Sequence, residues 1–152
     1  MFFISHRGNI TGKDETKENN PEYIDRAIFL GYEVELDFWL VDGEFFYLGH
    51  DYPKFQIDIG WLKSRSDKLW LHCKNVESVY FLNTLDNNYH YFWHQNDTLT
   101  LTSRNYMWVL PGNQPIKNSI CVLPEINNEN TEQCIGICSD FIKYYVDKNN
   151  NI

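Results

Sequence analysis

Four short runs in this 152-residue chain carry residue types that move protons, hold cations or bind phosphate. The first is Ser5-His6-Arg7-Gly8. Imidazole gains and loses a proton near neutral pH, and a guanidinium fork matches phosphate oxygens. The second is Glu35-Leu36-Asp37. Carboxylates at i and i+2 on a strand point the same way and offer hard oxygen ligands to Mg2+, Ca2+ or Mn2+. A solvated edge-strand face would have the same pattern. The third is Leu48-Gly49-His50-Asp51, a second acid or base beside a glycine that lets backbone approach a ligand. A surface-loop histidine is its plain alternative. The fourth is Leu71-His72-Cys73-Lys74-Asn75. There His72 and Lys74 share one strand face, where His72 could complete a metal site with Glu35 and Asp37. Lys74 could neutralise phosphate or the carboxylates, or simply snorkel from a strand end.

These residues need elements to position them. Residues 2–5, 32–38, 45–48, 69–73, 91–94, 106–110, 119–123 and 135–139 read as strands, with 98–102 (TLTLT) less regular. In 32–38 Glu33, Glu35 and Asp37 fall on one face and Val34, Leu36 and Phe38 on the other, and Asp42-Gly43 signals a tight turn into 45–48. Asn20-Pro21 starts a helix that runs to Leu30, with Gly31 as its stop. Asp58 caps a short helix to Lys63, Asn75 caps 76–85, and Asp140 starts a last helix to Val146, after which the end frays. His94, Gln95, Trp108 and Glu125 lie at the ends of strand candidates and are candidate substrate contacts, His94 and Trp108 foremost. The aromatic stretch 90–94 suits either a core or a partner-binding surface.

Strand and helix alternate in the first half, which predicts an α/β domain with a parallel sheet. A full (β/α)8 barrel takes about 250 residues. The expectation is therefore a single domain over 1–152, a shortened TIM-like parallel (β/α) barrel of seven or eight strands with helices missing in the second half. There the gaps 95–105, 111–118 and 124–134 are too short for a helix with two turns. At ~3.4 Å per residue each could recross as an extended loop. An α+β sandwich is the alternative.

Composition narrows the function. Hydrophobic residues are 43% and aromatics 16%, enough for a packed core. The formal net charge of −8 argues against coating nucleic acid or an anionic membrane. No apolar run reaches the roughly 20 residues of a membrane span. The N-terminus enters a strand-like run at once, without the charged and long apolar regions of a signal peptide. Four cysteines, at 73, 121, 134 and 138, form no CxxC pair, so reduced thiols and a cytoplasmic location are expected.

Taken together, the runs resemble the glycerophosphodiester phosphodiesterase family. That family is similar in carrying HRG, a Glu-Asn motif before the first helix, E-x-D on strand two, DG, HD and E-x-K on strand three. Here these stand as His6-Arg7-Gly8, Glu18-Asn19, Glu35-Leu36-Asp37, Asp42-Gly43, His50-Asp51 and His72-Cys73-Lys74, in order, over residues 3–75. The ending Gly136-Ile137-Cys138-Ser139-Asp140 resembles the family's last strand. The resemblance implies a metal-dependent phosphodiester hydrolase, with His6 and His50 as catalytic acid and base. It implies Arg7 and Lys74 on the phosphate and one divalent ion on Glu35, Asp37 and His72. A neighbouring substrate hydroxyl would attack first, giving a cyclic phosphate that water opens. The ion expected is Mg2+ or Ca2+, with Mn2+ or Zn2+ brought in by His72, which stands where the family has glutamate. The partner expected is a small phosphodiester. A degenerate, non-catalytic domain that binds a phosphorylated sugar or lipid headgroup is the competing expectation.

Overall fold

The structure, a computed structural model, describes residues 1–85 and 89–150. In chain order it comprises β1 (Phe2–His6), α1 (Pro21–Phe29), β2 (Glu33–Val41), β3 (Phe45–Leu48), β4 (Phe55–Ile57), α2 (Ile59–Lys63), β5 (Leu69–Cys73) and α3 (Val76–Thr84). There follow β6 (His90–Phe92), β7 (Leu99–Leu101), β8 (Met107–Val109), β9 (Ser119–Val122), β10 (Gly136–Ser139) and α4 (Ile142–Asn150). A 3-10 turn at Pro124–Ile126 follows β9.

Helix starts follow local chemistry. The side chains of Asn20, Asp58 and Asn75 accept the orphan backbone N–H groups of Glu22, Trp61 and Ser78. Helix α4 runs to Asn150 rather than fraying after Val146, and the Lys143–Asp147 pair at 3.0 Å joins its first turn to its second. Residues 151–152 of the expected frayed end lie outside the described residues.

The alternation in β2 puts its apolar side chains in a core and its carboxylates on the opposite face. Val34, Leu36 and Phe38 join Leu69, Leu71 and Cys73 of β5 under the helices, where they meet Ile24, Ala27, Leu62 and Leu82. The opposite, concave face is filled by Ile4, Trp70, Phe92, Trp108, Ile120 and Cys138, drawn from six strands. Phe92 and Trp108 rings lie 4.6 Å apart, and Trp70 and Trp108 5.5 Å apart. The aromatic stretch 90–94 is accordingly core: His90 and Phe92 are buried, and Tyr91 and Trp93 pack against the helix-side cluster.

The fold corrects the expected parallel (β/α) barrel of seven or eight strands. It is one mixed sheet of ten strands. Parallel ladders join β1 to β10 and β2, β9 to β10 and β8, and β5 to β2 and β6. Antiparallel ladders join β2 to β3, β3 to β4 and β7 to β8. The reason lies in the connections. A parallel return must recross the length of the strand, which β8 to β9 does in residues 110–118, whereas 42–44, 49–54 and 102–106 are shorter and turn the chain straight back. Among the described residues no ladder joins the edge strands β6 and β7, so the sheet curls without closing. The 102–106 loop seals that edge instead. Ser103 N–H donates to the Tyr91 carbonyl (2.8 Å), and His90 Nε2 meets Thr102 Oγ1 at 2.7 Å. Among the described residues four helices accompany the ten strands, so strand and helix do not alternate throughout.

Candidate functional site

Strands β1, β2 and β5 are parallel neighbours in register: His6 lies opposite Glu35, and Asp37 opposite His72. That register alone gathers four of the candidate residues. Glu35 is 3% and Asp37 0% exposed, which rules out a solvated edge face.

Asp37 is the hub. Its Oδ2 lies 2.9 Å from Arg7 Nε and accepts from Asn19 Nδ2 at 2.8 Å, while Asn19 Oδ1 takes the Asp37 backbone N–H at 2.9 Å. Its Oδ1 lies 3.1 Å from His72 Nδ1 and 3.3 Å from Lys74 Nζ. Burial works against the charge, but the His72 hydrogen bond and the Arg7 and Lys74 cations hold this carboxyl well below the usual range. Glu35 is the opposite case. Its Oε2 is buried without a hydrogen-bond partner, 3.8 Å from His6 Nε2, and burial and neighbouring Asp37 push its pKa up.

His6 Nδ1 pairs with Asp140 Oδ1 at 2.7 Å. Burial alone would depress its pKa; the Asp140 hydrogen bond and the Glu35 charge outweigh this and raise it. Arg7 also bonds Glu18 Oε2 (3.2 Å) and adopts a positive φ of 54°, beside Gly8 at 92°. His50, in the loop after β3, is exposed and pairs with its neighbour Asp51 at 2.7 Å.

A cleft of about 400 Å3 opens at the C-terminal ends of these strands. His6, Arg7, Glu35, His50, His72 and Lys74 line it together with Trp93, His94, Gln95, Trp108, Leu110 and Leu123. The sequence-predicted site residues therefore reach the cleft except Asp37, which is buried beneath it, and Glu125. Trp108 is mostly core, and only its edge can touch an occupant. The His94 ring stacks on His72 (4.2 Å), and burial with the His72 charge pushes its pKa down to about 4, so it is a neutral wall. Glu125 does not line the cleft; it accepts from Ser139 Oγ and the Asp140 backbone N–H behind it.

Sequence reasoning gave no role to Asn9, Glu18, Asn19 or Asp140, which hold the functional side chains. The motifs Glu18-Asn19 and Ser139-Asp140 carried a signal for three of them; Asn9 carried none. Asp140 reaches His6 across 134 residues of chain, a pairing no local pattern encodes.

Glu35, Asp37 and His72 offer one ligand atom each within 4.8 Å of one another. The set fits a divalent cation. Four buried carboxylates (Glu18, Glu35, Asp37 and Asp140) face two permanent cations, Arg7 and Lys74, and Glu35 Oε2 has no donor. Two carboxylates with one imidazole suit Mg2+ or Mn2+, with the imidazole widening the choice toward Zn2+.

The pKa shifts set an expected pH profile for stability. Glu35 and His6, raised above 4.5 and 6.5, contribute stability that is complete below those values and lost as pH rises through the folded ones. Asp37 and Asp140, held below 3.8, contribute stability that is present above that value and lost as pH falls. The metal-free melting temperature should therefore peak between about pH 4 and 6 and decline toward pH 9. Calorimetric scans across pH check this, and Glu35→Gln should flatten the alkaline decline.

Gly49 is a second lever. Its φ is 150°, and a Cβ there would collide with the Tyr52 carbonyl oxygen while pressing on Lys54. Gly49→Ala should cost about 1–3 kcal/mol and displace the neighbouring His50 loop. Denaturant unfolding reads the first effect and a crystal structure of the variant the second.

In comparisons with known proteins, no family model, curated protein or solved structure matches the chain. Among the described residues no helix is long and apolar enough to cross a membrane, and the four cysteines are free and buried.

Proposed function

We propose that the chain is a metal-dependent phosphodiesterase acting on a small, glycerophosphodiester-like substrate. One observation carries the reading: a single cleft brings His6 and His50, from separate elements, together with Arg7, Lys74 and Glu35, whose Oε2 has no donor. Binding a phosphate ester needs only the two cations. A proton-transfer pair beside them is what ester cleavage adds, because one group must accept a proton and another must protonate the leaving oxygen.

Arg7 and Lys74 neutralise the phosphate. Arg7 is held from behind, with Nε toward Asp37 and Nη1 toward Glu18. A divalent ion on Glu35, Asp37 and His72, when bound, polarises the phosphoryl oxygens. One histidine takes the proton of the attacking hydroxyl, on the substrate or on water, as the new P–O bond forms. The other gives its proton to the departing alcohol oxygen as the old P–O bond breaks. If a neighbouring substrate hydroxyl attacks first, the cyclic phosphate is opened by water with the two roles exchanged. A second cleft of about 390 Å3 shares Arg7 and His50 with the first and adds Lys13, Tyr52 and Lys54, leaving room for the second arm of a diester.

The test is steady-state hydrolysis of bis(p-nitrophenyl) phosphate and of glycerophosphocholine with Mg2+, Mn2+, Ca2+ or Zn2+ added to chelator-treated protein. Ion-dependent turnover supports the proposal. Binding of phosphate esters without turnover under any ion would replace it with a non-catalytic phosphate-binding domain.

A further inference from the structure

We infer that Asp140, steadied by Asn9 and Glu125, is the positioning residue that sets the tautomer and orientation of His6. The inference rests on His6 transferring a proton in the proposed reaction, but its first readout does not depend on turnover.

Three strand ends build the device. His6 closes β1, Asp140 directly follows β10, and Glu125 lies in the turn after β9. These strands are consecutive parallel neighbours, so their C-terminal ends lie side by side. Asp140 Oδ1 accepts from Asn9 Nδ2 at 2.8 Å and meets His6 Nδ1 at 2.7 Å.

The identity of each atom follows from its partners. Asn9 Oδ1 takes the Asp14 backbone N–H at 3.1 Å, and a backbone N–H can only donate. The Asn9 amide is thus oriented with Nδ2 toward the carboxylates, Glu18 Oε1 at 2.9 Å as well as Asp140. Asp140 is then an acceptor twice over, and the proton shared with His6 belongs to imidazole Nδ1. In neutral His6 this leaves the lone pair on Nε2, the nitrogen nearer Glu35 and free to serve the cleft.

The backbone of Asp140 is pinned too. Its N–H donates to Glu125 Oε1 (3.0 Å) and its carbonyl accepts from Gly12 N–H (2.8 Å). Asn9 N–H returns to the His6 carbonyl at 2.9 Å, closing the loop on itself. Both His6 and Asp140 are 8% exposed, so water does not compete for the bond. His50 lacks all of this: its partner Asp51 is the next residue and is 82% exposed. Of the two histidines, only His6 is held from behind by a built acceptor.

A histidine in water favours the Nε2–H tautomer, so the structure calls for the minority form, and that can be measured. Side-chain 15N shifts of the metal-free protein, labelled at its five histidines and recorded at alkaline pH, report which nitrogen of each ring carries the proton. The His6 signals are identified by their loss in His6→Gln. The expected result is a protonated Nδ1 and a bare Nε2 for His6, reverting toward Nε2–H in Asp140→Ala. Asp140→Asn, which keeps the shape, is the companion variant, and unchanged shifts for the other four histidines show that each variant is folded. On bis(p-nitrophenyl) phosphate, Asp140→Ala should lower kcat by about 10²-fold or more with KM changed only a few-fold. The expected tautomer with no turnover in any variant upholds the Asp140 assignment and removes the phosphodiesterase proposal. An Nε2–H His6 in the wild-type protein, or a tautomer that does not respond to either Asp140 variant, overturns the assignment whatever the activity.

Discussion

Replacing His6 with alanine is expected to lower kcat/KM for a glycerophosphodiester by about 10²- to 10⁴-fold, the range of a single acid or base. The same loss is expected for His50→Ala, since acceptor and donor act on one displacement and neither substitutes for the other. Neither change should disturb phosphate binding, which falls to Arg7 and Lys74. The wild-type kcat/KM should give a bell-shaped pH profile, and each variant should lose one limb of it. In the metal-free protein the Asp140 hydrogen bond and the Glu35 charge outweigh burial and raise the His6 pKa. Arg7→Ala should behave differently. Its fork spans Asp37 and Glu18, so its loss weakens substrate binding and also frees the loop that carries Glu18. Steady-state kinetics for the three variants, with calorimetric binding of a phosphate ester, separate these outcomes.

Asp37→Ala is expected to be the most damaging single substitution for the fold. The carboxylate is fully buried and is the common partner of Arg7, Asn19, His72 and Lys74. Removing it strands two permanent cations in a poorly solvated pocket, a change that costs about 3–5 kcal/mol. For a chain of this length that is a fall of roughly 10 °C or more in Tm. The expected loss of divalent-ion binding would be ambiguous in an unfolded variant. Asp37→Asn resolves this: it keeps the shape and the Asn19 contacts, should fold with a smaller penalty, and should still fail to retain metal. Thermal unfolding and elemental analysis of both variants test the assignment. Wild-type metal content in Asp37→Asn would refute it.

How much of this was legible in the sequence varies by element. The faces of β2 could be read because two-residue alternation is a local consequence of strand geometry, and Val34, Leu36 and Phe38 had to be buried somewhere. The caps Asn20, Asp58 and Asn75 were equally local. The mixed character of the sheet was not. Strands β4 and β7 have three residues each, too few to show any period, and β4 follows directly on a Pro-containing loop. Their antiparallel pairing is imposed by short connections, and the open edge between β6 and β7 depends on the hydrogen bonds of one loop, none of which a strand pattern records. Within the site, the chemistry-bearing residues stood out by type and order. Their supports did not, because an asparagine such as Asn9 looks like any loop residue until its Nδ2 is seen bridging Glu18 and Asp140. Likewise nothing in Glu35-Leu36-Asp37 distinguishes a carboxylate with four partners from one that has an orphaned oxygen.

The central claim is that a cation on the Glu35, Asp37 and His72 cluster and the histidines of one cleft act together on a phosphodiester. The most direct measurement follows hydrolysis of glycerophosphocholine by chelator-treated protein while Mg2+, Mn2+, Ca2+ or Zn2+ is titrated in, with Asp37→Asn and His6→Ala run in parallel. The account predicts that turnover appears only with added ion, saturates with it, and is lost in both variants. Undiminished turnover in either variant, or a wild-type protein that binds the ion yet hydrolyses nothing, would contradict it.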